Sequence, residues 1–196
     1  MPEEVIVQMT WLIVRGSGIA ALVLLGLLLI GGIGHVTGWT YRVIAPVKAW
    51  IIHKYIAIAM AVLVVIHVGM LLIDSFLPFT LAEIAVPFLK TYSNKSTLFG
   101  LDLGYFAIPA GIVSLYIGAW VLVTSLTRLK TYKKLWLLSH WLSYGLIPLL
   151  AIHVLFSGTE FKTGVGRWVL IVLVVAMTAA LMYRTSRRVK TSGQDK

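Results

Sequence analysis

Five apolar runs dominate the sequence and leave few folds open to it: roughly Trp11–Ile33, Trp50–Ile73, Tyr105–Leu126, Leu135–Phe156 and Trp168–Met182. A bilayer core about 30 Å thick is crossed by about 20 residues of helix. Hydrocarbon offers no partner to a backbone amide, so runs of this kind must satisfy their own N–H and C=O groups as α-helices. The chain is therefore expected to be all-α, an integral membrane bundle of five transmembrane helices. The fifth run is short unless it extends to Tyr183 or begins at Thr163. A mean hydropathy of +0.93 with only 12% charged residues agrees, since soluble domains carry about 25%. The length suits one bundle, 1–183, followed by a basic tail, 184–196, that is expected to fray.

The net charge of +10 is read as membrane orientation rather than nucleic-acid binding, because the basic residues gather at the ends of the apolar runs. One side would carry Arg42, Lys48, Lys54, Arg128, Lys130, Lys133, Lys134, Arg184, Arg187, Arg188, Lys190 and Lys196, twelve in all. The other would carry five: Arg15, Lys90, Lys95, Lys162 and Arg167. The side with twelve is expected to be cytoplasmic, with the N-terminus outside and the C-terminus inside. The acidic start Met-Pro-Glu-Glu lacks the basic region of a cleavable signal, so the first span is expected to be retained. The outer segment 74–104 is too apolar for a plain linker. Pro78 and Pro87 interrupt it, and an interfacial helix or a lid is expected there.

The chain has no cysteine, which excludes disulfides, cysteine-held iron–sulfur clusters and covalent haem attachment. Histidines carry the chemical signal. His53 and His67 lie fourteen apart in the second span, and His140 and His153 thirteen apart in the fourth. Ionisable groups inside a span are costly and usually functional. Fourteen helical steps rise about 21 Å, which places one histidine of each pair in each leaflet. One span separates the two, so they run parallel, and His53 is expected level with His140 and His67 with His153. Two facing pairs at two depths would make two bis-imidazole haem sites, with iron held by His53, His140, His67 and His153. Phase supports this in part. Fourteen steps at 100° bring His53 and His67 within about 40°, whereas thirteen leave His140 and His153 about 140° apart, unless a kink at Pro148 changes the phase. His35, at the cytoplasmic end of the first span, is read as an interfacial histidine, with a quinone or haem-edge role as the alternative.

The sequence resembles the ferric reductase-like transmembrane family, which includes the membrane part of NADPH oxidases, ferric reductases and the haem subunit serving a periplasmic methionine-sulfoxide reductase. The resemblance lies in "HKYIAIAMAVLVVIHVGMLLID", in "LWLLSHWLSYGLIPLLAIHVLFSGTE" and in the opening "RGSGIAALVLL", and runs from Trp11 onward. It implies a b-type cytochrome of a prokaryotic cell membrane passing electrons from the cytoplasmic side outward. His53–His140 would hold the inner haem b and His67–His153 the outer. It also implies a place for Arg15 beside haem propionates or the acceptor site, the alternative being a snorkelling anchor. Unlike the oxidases, this sequence shows no G-x-G-x-x-G. The expected donor is therefore a separate flavin reductase or a quinol, with quinone a second candidate cofactor, no flavin on this chain, and an acceptor outside. The oxidases' further histidine, one turn beyond the outer ligand, is here Leu71, which weighs against superoxide production.

Trp120 and Trp141 lie deep enough to line a haem or to pack, and Gly69 and Gly145 could make room for a porphyrin or for close helix packing. A haem-free structural or transport subunit of a membrane complex is the competing reading. Transport would favour carboxylates in mid-span, and the sequence places Asp74 only at a span end.

Overall fold

The computed structural model describes residues 3–75, 77–91, 97–98, 101–127, 131–158, 161 and 164–192. Five segments are long and apolar enough to cross a membrane. The first two are α1 (Glu3–Thr37) and α2 (Pro46–Leu71). A five-residue helix, α3 (Leu81–Ala85), and a two-residue antiparallel ladder of β1 (Thr97–Leu98) with β2 (Leu101–Asp102) lie in the following loop. Then come α4 (Ala107–Leu126), α5 (Lys133–Leu142), α6 (Leu146–Ser157) and α7 (Gly164–Ser192). Arg128, Lys130, Lys95, Lys162 and Lys196 of the charge count, and Thr163, lie outside the described residues.

The helices have local causes. Gly38, at φ 75°, ends α1 in the left-handed conformation that a residue without Cβ adopts freely. A 3₁₀ turn, Trp39–Arg42, follows, and Pro46 opens α2 at the first-turn position where its missing N–H costs nothing. The tail does not fray at Arg184: α7 continues to Ser192, because that stretch is rich in arginine and free of proline and glycine.

The fourth span is two helices. Pro148 has no N–H for the Tyr144 carbonyl, and the Leu146 N–H donates to the Ser143 and Tyr144 carbonyls instead. The Ser143 hydroxyl donates to the His140 carbonyl at 2.5 Å, a back-bond of the kind that bends helices. Between them the backbone tightens into a 3₁₀ turn, Ser143–Gly145, that joins α5 to α6.

Lipid tails give helices no hydrophobic reason to associate, so close fit holds the bundle. α1 packs along α2 and α7, α4 along α5 and α6, and α6 against α7. Their shared centre is Leu25, Leu29, Leu146, Ile147 and Met177, joined by Met60, Ile117, Tyr144, Leu150, Leu173 and Val174. Met60 lies seven residues from both His53 and His67, so this apolar layer separates the two levels of histidine.

The 74–104 segment sits at the face that carries the N-terminus, called here the loop face; the opposite one, with the C-terminus, is the tail face. α3 begins with a capping box, Thr80 N–H donating to Glu83 Oε2 at 2.8 Å and Glu83 N–H to Thr80 Oγ1 at 3.3 Å. The Tyr116 hydroxyl donates to the Ala85 carbonyl and ties α3 to α4. Phe88, at φ 70°, stacks near Tyr105 and Phe106, with ring centres 5.8 and 6.2 Å away. Leu81, Val86 and Leu89 are exposed, as an interfacial segment requires.

Asp74, only 4% exposed, accepts from the Thr10 hydroxyl at 3.2 Å and from the Leu77 N–H at 3.3 Å, and so fastens the loop to α1. The Thr10 hydroxyl also reaches the Val7 carbonyl at 2.9 Å, so removing Asp74 deprives chiefly the Leu77 N–H of its acceptor, at the low end of about 1–3 kcal/mol. Asp74→Ala should accordingly lower the thermal unfolding temperature in detergent. An unchanged temperature would show that the contact does not hold the loop.

Candidate functional site

Of the two expected histidine pairs, the structure brings His67 and His153 ring to ring, as parallel second and fourth spans require. On the loop face, the rings of His67 and His153 stand with centres 6.4 Å apart and planes at 90°. On the tail face, His140 and His35 both lie within electrostatic reach of His53.

Each loop-face histidine is held by the span that precedes its own. His67 Nδ1 is 2.7 Å from the Val14 carbonyl of α1, and His153 Nδ1 is 2.9 Å from the Ala107 carbonyl of α4. A carbonyl only accepts, so each Nδ1 carries the proton, and in the neutral ring Nε2 keeps its lone pair. A second hydrogen bond of this sort is the usual companion of a metal-ligating histidine. One turn beyond each carbonyl stands a glycine against the same ring. A Cβ on Gly18 would lie 3.0 Å from His67 Nδ1, and one on Gly111 2.6 Å from His153 Nδ1. Carbonyl at i and glycine at i+4 thus form the same seat twice.

The separation of the two rings is close to the one that an iron held between them would need. A metal–imidazole bond of about 2 Å on either side, plus a little over 1 Å from nitrogen to ring centre, puts two axial imidazole centres roughly 6.3 Å apart. Among the described residues no three His, Cys, Asp or Glu converge on a bare metal ion, and a haem iron takes only two side chains.

The thirteen-residue spacing also has a physical account. In a 3₁₀ turn each residue rises about 2.0 Å and turns about 120°. Three such residues with ten α-helical ones rise about 21 Å, the same as fourteen α-helical steps. They add about 60° of turn, reducing the 140° between His140 and His153 to about 80°. Pro148 was expected to adjust this phase by a kink; the adjustment lies in the turn just before it, at Ser143–Gly145.

On the tail face the backbone of Gly31 and Gly32 comes near His53, where a Cβ would lie 3.8 and 3.6 Å from its ring. His140 packs on Trp136, with ring centres 4.3 Å apart. The Trp120 indole N–H donates to Ser139 Oγ at 3.0 Å, next to His140, while Trp141 packs near Tyr144 at 5.5 Å. His35 lies 5.5 Å from His53 and 5.7 Å from Tyr41, ring centre to ring centre, so it belongs to this cluster and not merely to the interface. The Arg15 guanidinium stands over the Trp11 ring at 4.2 Å. Gly69 and Gly145 do not crowd any side chain, since a Cβ on either would meet nothing within 4 Å.

The seats at Val14, Gly18, Ala107 and Gly111 escape a reading of side-chain chemistry, because their working group is the backbone. One signal was present: Gly18 and Gly32 are fourteen apart on α1, matching His53 and His67 on its antiparallel neighbour.

A family model described as "Ferric reductase like transmembrane component" matches residues 16–151, more than half of the chain. No curated protein matches, nor does any solved structure.

Proposed function

The chain belongs to the ferric reductase-like transmembrane family, and from that premise we propose that it is a b-type cytochrome carrying electrons across the bilayer through two haems. It is an integral membrane protein and a member of a family of electron-transfer components, generally haem-binding. The observation that carries the finer reading is the loop-face pair. Two imidazoles stand 6.4 Å apart, each fixed by its Nδ1 so that Nε2 is the nitrogen left to ligate.

In this reading His67 and His153 hold one haem and His53 and His140 the other, the two levels separated by the apolar layer around Leu146, Ile147 and Met60. Haem supplies a reversible one-electron couple. The residues would orient it and exclude water between the levels, and the Val14 and Ala107 carbonyls would keep Nε2 of His67 and His153 unprotonated. The twelve-to-five distribution of basic residues supports placing the tail face in the cytoplasm and the loop face outside. A donor would be a separate flavin reductase or a quinol at the tail face, where His35 and Tyr41 stand together. Arg15 lies at the level of the outer pair, where its charge would favour the reduced state.

Purified protein should contain close to two haems b per chain by the pyridine haemochrome assay, reducible in two steps in a redox titration. A value near zero would sink the reading, and a value near one would remove one pair of ligands.

A further inference from the structure

On the reading just given, we propose that Gly18 and Gly111 are positioning residues that, with the Val14 and Ala107 carbonyls, hold the outer pair of imidazoles at right angles and so fix the spectroscopic and redox character of that haem site.

The duplication of the seat is the main ground. Val14 and Gly18 on α1, and Ala107 and Gly111 on α4, present the same two features at the same spacing to a histidine on the following span. In an α-helix the carbonyl at i already accepts from the amide at i+4. A glycine at i+4 leaves the flank of that carbonyl open, so an imidazole can reach the second lone pair. A Cβ there would press on the ring, severely at Gly111 and slightly at Gly18. The hydrogen bond fixes the tautomer, and the glycine surface fixes the rotation of the ring about its own bonds. Two seats on different helices then set two ring planes independently, and they stand at 90°.

Perpendicular axial imidazoles leave two iron d orbitals nearly equal in energy. A ferric low-spin centre of that kind gives a single strongly anisotropic low-field EPR feature, whereas parallel planes give three resolved lines. The angle thus has a readout independent of turnover.

The test uses four single variants of the whole chain, purified with haem: Gly18→Ala and Gly111→Ala, and as controls on the same helices Gly16→Ala and Gly118→Ala. A Cβ at either control position meets nothing within 4 Å. The clashes are graded. At Gly111 the new atom lies 2.6 Å from His153 Nδ1 and 2.8 Å from Cε1, so the ring must move; at Gly18 it lies 3.0 and 3.1 Å from the same atoms of His67, so the ring need give only a few tenths of an ångström. Wild type and both controls should show the low-field feature and about two haems per chain. Gly111→Ala should lose the feature from most molecules, or lose the outer haem, bringing the count toward one. Gly18→Ala should keep both haems and move the feature toward the three-line form, with the inner signal unchanged.

Three results would overturn the proposal: an outer haem with the parallel-plane spectrum in wild type, an unshifted feature in both seat variants, or equal shifts in the controls. If Gly111→Ala does not fold, Gly18→Ala decides. A wild-type protein without haem would instead refute the cytochrome reading itself, and this inference with it.

Discussion

His67→Ala and His153→Ala are each expected to remove the same one of two haems and to leave the other in place. Groups that only hydrogen-bond to a metal ligand already account for about 10–100-fold in metal affinity, and losing the ligand itself should cost more. The haem-to-protein ratio should fall from about two to about one. His53→Ala and His140→Ala should do the same to the other site. Transfer from a donor on the cytoplasmic side to an impermeant acceptor outside should fall by more than about 100-fold in all four variants, since either site interrupts the route. A redox titration identifies which couple is lost. If His53→Ala and His153→Ala abolished the same couple, the pairing by depth would be wrong, despite the 6.4 Å between His67 and His153.

Deleting a single residue between His53 and His67, such as Ala61, should be nearly as damaging to the outer site. The deletion gives α2 the thirteen-residue spacing of the fourth span, but without its 3₁₀ turn. His67 would then be rotated by about 100° and drawn back by about 1.5 Å. That takes the ring off the Val14 carbonyl and away from Gly18, toward lipid. Haem content should fall to about one, with the inner site retained because His53 lies on the unshifted side of the deletion. Two haems at wild-type potentials in this variant would show that helical register does not govern the site.

Much of this is legible in the sequence. The five spans follow from apolar length, because the bilayer admits one solution for such runs. The pairing of His67 with His153 follows from spacing and from the parallel course of two spans separated by one. The bend at Ser143–Gly145 was not legible in detail. Pro148 signals a lost hydrogen bond, but whether the backbone responds by kinking, widening or tightening depends on neighbours such as the Ser143 hydroxyl. The seats were hidden for another reason. Val14 and Ala107 act through their carbonyls, which every residue has, and Gly18 and Gly111 act by having no side chain. The fate of His35 depended on the turn at Gly38, which ends α1 and sends the chain back as α2, setting His53 beside His35.

The seats also bear on how such a chain is made. His67 is held by α1, the helix synthesised just before its own, and His153 by α4, which stands in the same relation to α6. Each half of the outer site is thus complete within one helical hairpin and needs nothing from the other. The first hairpin can settle in the bilayer with its imidazole already oriented while the second is still on the ribosome. What remains for late assembly is the joining of two finished halves along Leu25, Leu29, Leu146, Ile147 and Met177, the last of which arrives with α7. A cofactor offered to the nascent protein would meet one prepared nitrogen first and the second only once the halves close, so biogenesis would proceed by capture followed by clamping.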